Sequence, residues 1–139
     1  MQPTCLADTG ALFAVLDAED RWHTRCTATV TSLRRPLATS AAVLAELFHL
    51  IGDRPRHVAH AWQFLRSGMV TVLPIGDDDL AELAELMARY HDRPMDFADA
   101  TLVRLARRES LSTVFTIDHD DFETYRIHGH RRFRIVPSR

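Results

Sequence analysis

The sequence predicts an α/β domain built on a short, mostly parallel sheet. Three observations predict it. Short apolar or β-branched segments alternate with longer segments whose apolar residues recur at helical spacing. The chain has 139 residues with no internal repeat or low-complexity linker, which fits one domain over 1–139. Its 46% hydrophobic and 26% charged residues are an ordinary globular balance.

The elements follow in order. Thr4 to Ala7 is apolar enough for a buried strand, broken by Thr9-Gly10. Ala11 to Leu16 has helix-forming composition, and Asp20 to Leu33 reads as a second helix. Leu37 to Ser40 is a short strand. Ala41 to Ile51 is a buried helix that stops at Gly52. Arg56 to Leu65 is helical. Met69 to Pro74 has β-branched residues with a breaker at each end and reads as a strand. Leu80, Leu83, Leu86, Met87 and Tyr90 recur at helical spacing behind the start signal Asp77 to Asp79. Asp96 to Arg108 is a helix opened by Pro94-Met95. Thr113 to Ile117 and Phe133 to Val136 are strands, and the tail after Phe122 is poorly patterned.

Composition excludes several function classes. No apolar run approaches the ~20 residues that span a bilayer. The start, MQPTCLADTG, lacks a charged n-region and an apolar h-region, so the expected location is the cytoplasm. Two cysteines, Cys5 and Cys26, make no disulfide framework. The 17 basic residues are all arginine, and lysine and asparagine are absent, a bias that fits a GC-rich, bacterial coding genome. Mechanisms that need a lysine are thereby removed. His57 and His60, and His128 and His130, have no cysteine or carboxylate at zinc-site spacing. Trp22, Trp62 and Phe64 read as core or interface residues.

The chemistry lies in acids embedded in apolar context, where an unpaired carboxylate is costly. Asp8 directly follows the first strand, at the carboxyl end where ligands of parallel sheets collect. The same position suits a helix N-cap. Glu46 interrupts the apolar run 41–51, with His49 one turn later. Asp96 and Asp99 fit an N-cap and the third helical position, a spacing that also puts both carboxylates on one side of the first turn. Asp118 closes the strand TVFTI, and Thr116 shares its side, where its hydroxyl can bond a carboxylate or water. Asp120 and Asp121 read as turn or cap residues. Like charges gathered at one sheet end raise each other's pKa values unless a divalent cation neutralises them, and hard oxygen ligands select Mg²⁺ or Mn²⁺.

These pieces resemble one family. LADTGALFAVLD at 6–17, VLAELFHLI at 43–51, RYHDRPMDFADATLVRLA at 89–106 and TIDHDDF at 116–122 are similar to PIN-domain ribonucleases, specifically the VapC-type toxins of bacterial toxin–antitoxin pairs. The resemblance implies a three-layer α/β/α fold with an acidic cluster that binds Mg²⁺ or Mn²⁺. By position, Asp8, Glu46, Asp99 and Asp118 match the family's metal-binding acids, Asp96 an extra acid found in some members, and Thr116 its small hydroxyl residue. It further implies hydrolysis of RNA, inhibition by an antitoxin protein, and a homodimer.

Phosphate neutralisation is expected from the tail, where Arg126, Arg131, Arg132, Arg134 and Arg139 occur with no acid after Tyr125. Arg104, Arg107 and Arg108 read as ordinary charges toward a helix C-terminus. Two other readings compete. A non-catalytic PIN-like module that binds RNA or protein would be expected to have lost some of the acids. An aspartate-based phosphoryl-transfer domain would need a lysine that the chain lacks.

Overall fold

The computed structural model describes residues 2–93 and 95–139. Pro94, read above as part of a helix opening, lies outside them. Among these residues five strands form one sheet: β1 (Leu6–Ala7), β2 (Leu37–Thr39), β3 (Val70–Val72), β4 (Thr113–Phe115) and β5 (Arg134–Val136). Their order is β3-β2-β1-β4-β5, and every pairing between them is parallel. Among the described residues seven helices accompany the sheet: α1 (Thr9–Leu16), α2 (His23–Ser32), α3 (Ala41–Ile51), α4 (Pro55–Leu65), α5 (Leu80–Arg89), α6 (Phe97–Glu109) and α7 (His119–Thr124). The fold class is the predicted α/β one.

The strands are shorter than predicted, two or three residues each, and the central ones are the most apolar. Leu6, Ala7, Leu37, Ala38, Val114 and Phe115 are fully buried, as strands covered on both faces by helices must be. The chain steps outward from β1 through β2 to β3, then returns to the other side of β1 for β4 and β5. The order therefore reverses between β1 and β4. At such a switch point the connections diverge and leave a crevice beyond the strand ends.

Local chemistry sets the helix boundaries. Ser40 caps α3, its hydroxyl accepting from the Val43 amide at 3.2 Å, and Gly52 ends it at φ 83°. Asp96 caps α6 by accepting from the Asp99 amide at 2.8 Å. The helix predicted from Asp20 starts later, at His23. Asp17 and Asp20 accept from the amides of Glu19 and Trp22, and these side-chain turns hold the approach out of helical geometry.

The arginines of α6 are not ordinary helix-end charges. Asp79, only 4% exposed, takes Arg104 Nε at 2.7 Å and Arg108 Nη1 at 3.1 Å. Arg104 and Arg107 also reach Glu82. The Gly76 amide first, and Arg104 next, hold the Asp79 carboxyl below the usual range. This network ties α6 to the turn Asp77–Asp79 and to α5.

Asp79→Ala leaves two arginines without their shared acceptor and should cost about 3 kcal/mol in denaturant unfolding. The exposed pair Arg89–Glu85 is the contrast: Arg89→Ala should change stability by no more than about 0.5 kcal/mol. Equal effects of the two substitutions would show that the α5–α6 network is not a principal restraint.

Candidate active site

Asp8, Thr9, Gly10, Glu46, Leu50, Asp96, Asp99, Ile117, Asp118 and Asp121 line one cavity of about 460 Å³. It lies at the carboxyl ends of β1 and β4, at the switch point. The five acids singled out from the sequence, distant along the chain, are all in its wall. They divide by depth. Asp8 and Asp99 are each 8% exposed and form the floor. Glu46 is half-buried, while Asp96 and Asp118 are exposed at the rim.

Asp8 is held by an amide and a hydroxyl, Asp99 by a hydroxyl. Asp8 leaves β1 and caps α1: its Oδ1 accepts from the Thr9 amide at 2.8 Å and its Oδ2 from the Thr116 hydroxyl at 2.8 Å. The Thr116 oxygen in turn accepts from the Asp118 amide at 2.9 Å. One hydroxyl thus links the strand-end acid of β1 to the connection after β4. Tyr125, fully buried, donates to Asp99 Oδ2 at 2.8 Å. Its ring is fixed by edge contacts with Tyr90 and Phe122 at 5.1 and 5.2 Å. Thr9 donates to Glu46 Oε1 at 3.0 Å. Gly10 allows the close approach of α1 to the β4–α7 connection: a Cβ there would lie 3.0 Å from Ile117 Cγ1.

Hydroxyls orient a carboxylate without cancelling its charge, and the electrostatics show the consequence. Burial pushes Asp8 up to about 6, against the opposing bonds from Thr116 and Thr9. Burial, then the charges of Asp8 and Asp96, push Asp99 up to about 8. Desolvation and then its bond with Asp121 push Asp118 up to about 6. Glu46 is raised by desolvation and by Asp96. No arginine or histidine is among the lining residues. Hard, anionic and unneutralised oxygen donors are the chemistry that suits Mg²⁺ or Mn²⁺, so the residues fit such an ion. Among the described residues they form an open bowl, with no three acids, histidines or cysteines drawn together into a ready-made ion cage.

Three features escaped the sequence reading. Asp121 is no mere turn residue: it belongs to α7 and lines the cavity beside Asp118. The pair repeats the i, i+3 spacing of Asp96 and Asp99, the signal that was there to find. Tyr125 lies in what read as an unpatterned tail. Arg93 Nη1 bonds Asp121 Oδ1 at 3.1 Å and brings a cation to the rim. The tail arginines are placed differently from one another. Arg139 pairs with Asp120 and Glu123, and Arg126 is occupied by the carbonyls of Glu123, Thr124 and Tyr125. Arg131 and Arg132 are exposed, and Arg134 opens β5. None of them lines the acid cavity. His49 lines a neighbouring pocket with Thr9 and Glu46. His57 and His60 share a cavity with Asp17, Glu19 and Asp53, carboxylate company that spacing alone did not reveal.

Comparison with known proteins agrees with this architecture. The family profile described as PIN domain matches residues 5–127. Ribonuclease VapC26 of Mycobacterium tuberculosis is 30% identical over 134 residues, covering 95% of this chain and 99% of that protein. Among solved structures, M. tuberculosis VapC20, described as a Sarcin-Ricin loop cleaving toxin, superposes with a TM-score of 0.73 at 25% identity, over 84% of this chain and 91% of its own. VapBC2 from Rickettsia felis, solved bound to a DNA fragment from its promoter, superposes with a TM-score of 0.66 over 94% of this chain and 97% of its own. At 12% identity that likeness is one of fold.

The raised acids make the metal-free protein pH-sensitive in a definite direction. Folded Asp8, Asp99 and Asp118 hold protons that the unfolded chain has released, so the folded state binds more protons between pH ~4 and ~8 and stability falls as pH rises through that window. Urea unfolding in a chelator should show this decline. At pH 8, Asp99→Asn should raise the metal-free melting temperature by about 3 °C or more, because the amide keeps the Tyr125 bond and removes the buried charge. A rise in metal-free stability toward pH 8 would overturn both expectations.

Proposed function

We propose, starting from the fact that this chain belongs to the PIN-domain family and within it to the VapC type, that it is a divalent-metal-dependent ribonuclease acting over residues 1–139 as the toxin of a toxin–antitoxin pair. The observation that carries the metal dependence is the cavity itself: six carboxylates at a sheet switch point, with no cation among the residues that line it. Asp8 and Asp99 would hold Mg²⁺ or Mn²⁺ from the floor, with Asp118 and Glu46 contributing from the rim. When bound, such an ion supplies Lewis acidity toward a phosphoryl oxygen and lowers the pKa of water.

The chain's own groups do the rest. Thr116 and Tyr125 lock the two floor carboxylates, so little reorganisation is needed when substrate arrives. Thr9 does the same for Glu46. Asp96 and Asp121 at the rim accept hydrogen bonds from water and orient it toward a phosphodiester. Hydrolysis adds water across one P–O bond, and the proton released passes to a rim carboxylate or to solvent. No lysine exists to supply charge to the leaving group.

The remaining assignments follow from the family. The partner is an antitoxin protein that blocks the acid cavity, and the active form is a homodimer in the bacterial cytoplasm. The likeness to Ribonuclease VapC26, 30% identical over 95% of this chain, supports a paired antitoxin here. No described helix is long and apolar enough to cross a membrane.

The test is cleavage of total RNA by the isolated chain with Mg²⁺ or Mn²⁺, with chelator as the negative arm. Asp8→Asn and Asp99→Asn should each lower the rate roughly 100-fold or more while circular dichroism stays native. Near-native cleavage by either variant would remove the floor acids from the mechanism. Absence of cleavage by the unsubstituted chain on every RNA would favour the non-catalytic binding module.

A further inference from the structure

We infer that Tyr125 is a positioning residue that makes the acid cavity favour a small, octahedral cation over Ca²⁺, because its hydroxyl occupies one oxygen of Asp99. The inference deepens the ribonuclease reading above and rests on it.

Six carboxylates line the cavity, but they do not present it with open carboxylate edges. Asp99 Oδ2 accepts from the Tyr125 hydroxyl at 2.8 Å. Asp8 accepts at both oxygens, from the Thr9 amide and the Thr116 hydroxyl. Glu46 Oε1 takes the Thr9 hydroxyl, Asp96 Oδ1 the Asp99 amide and Asp121 Oδ1 the Arg93 guanidinium. A donor seated on one oxygen draws on its lone pairs and opposes a grip by both oxygens on a single ion. Ca²⁺ takes about six to eight oxygens in flexible geometry and readily uses both oxygens of a carboxylate. Mg²⁺ demands near-octahedral geometry, keeps several waters and needs only a carboxylate or two. A bowl that offers single oxygens therefore suits the smaller ion.

Tyr125 is the donor whose chemistry packing does not explain. It is fully buried in a ring cluster with Tyr90, Phe122 and Phe133. Phe122 and Phe133 fill their places in that cluster without a hydroxyl, whereas the hydroxyl of Tyr125 goes to Asp99. The donor is also stiff. The rings of Tyr90 and Phe122 meet it edge-on, and the Tyr90 hydroxyl accepts from the Arg126 amide at 3.0 Å, which pins the backbone next to Tyr125. A donor held at ring and backbone cannot follow the Asp99 carboxylate if it turns to grip a larger ion with both oxygens.

Tyr125→Phe keeps the ring and removes the donor. The full chain, native and variant, is freed of metal with chelator and titrated with Mg²⁺, Mn²⁺ and Ca²⁺ by isothermal titration calorimetry in one buffer. Mg²⁺ and Mn²⁺ should bind roughly tenfold more weakly to the variant, the common effect of losing a group that orients a metal ligand. Ca²⁺ should bind as before or tighter, so the preference moves toward Ca²⁺. With Mg²⁺ present, kcat should fall and KM for RNA should hold. Loosened packing would act on every ion alike, so equal weakening of all of them, or no change, would overturn the inference. Where Tyr125→Phe fails to fold, Tyr90→Phe decides: it frees the Arg126 amide without touching Asp99 and should move the preference the same way by less, and an unchanged preference would overturn the inference. RNA cleavage by the native chain with native ion preference in the variant would remove Tyr125 and leave the nuclease reading intact. A shifted preference without cleavage by the native chain under any metal would do the reverse. A native chain that binds none of these ions would overturn both.

Discussion

The structure depends on carboxylates buried without counter-charge. Asp79 shows the ordinary solution to burying an acid: two arginines, an amide, and a pKa held low. Asp8 and Asp99 are nearly as buried and receive no cation, only the Thr9 amide at Asp8 and the hydroxyls of Thr116 and Tyr125. The difference is one of design logic. A guanidinium cancels a carboxylate's charge, whereas a hydroxyl aims the carboxylate and leaves the charge in place. A fold that needed Asp8 and Asp99 only for stability would gain from replacing them, and such a local cost is the usual mark of a site shaped by chemistry.

Topology makes this arrangement cheap to assemble. Because the strand order reverses between β1 and β4, the crevice opens where no crossover connection can fill it. Asp8 follows one strand bounding the crevice and Asp118 the other, while α3 and α6 bring Glu46 and Asp99 over it. The strands can be two or three residues long because they act chiefly as a rigid base for their own carboxyl ends. Gly10 and Ile117 in near contact keep the two sides of the crevice together.

The legible part of the sequence was the part where residue type conflicted with its surroundings. An acid between Ala7 and Thr9, or between Ala45 and Leu47, has no business in an apolar segment unless it is used. That conflict exposed Asp8 and Glu46, and the capping pattern of Asp96 and Asp99 placed α6 within one residue at each end. α7 was missed because six residues cannot display a helical period, and with it went Asp121 and the role of Tyr125. The meeting of α2 with the tail was illegible for a different reason. Arg25 and Arg134 are more than a hundred positions apart, and only the pairing of β5 with β4 brings the second of them alongside α2.

Charge segregation follows from these facts together. The chain carries 17 arginines against 19 acids, so a nearly neutral total could have been reached by pairing throughout. Pairing does occur where it stabilises, at Asp79, Glu82, Asp120 and Glu123. The acid cavity is nearly exempt from it: its lining holds six carboxylates and no arginine, and of the six Asp121 meets a guanidinium, that of Arg93. Charge left in place on Asp8 and Asp99, against the double guanidinium at Asp79, is what sets this end of the sheet apart from the rest of the molecule.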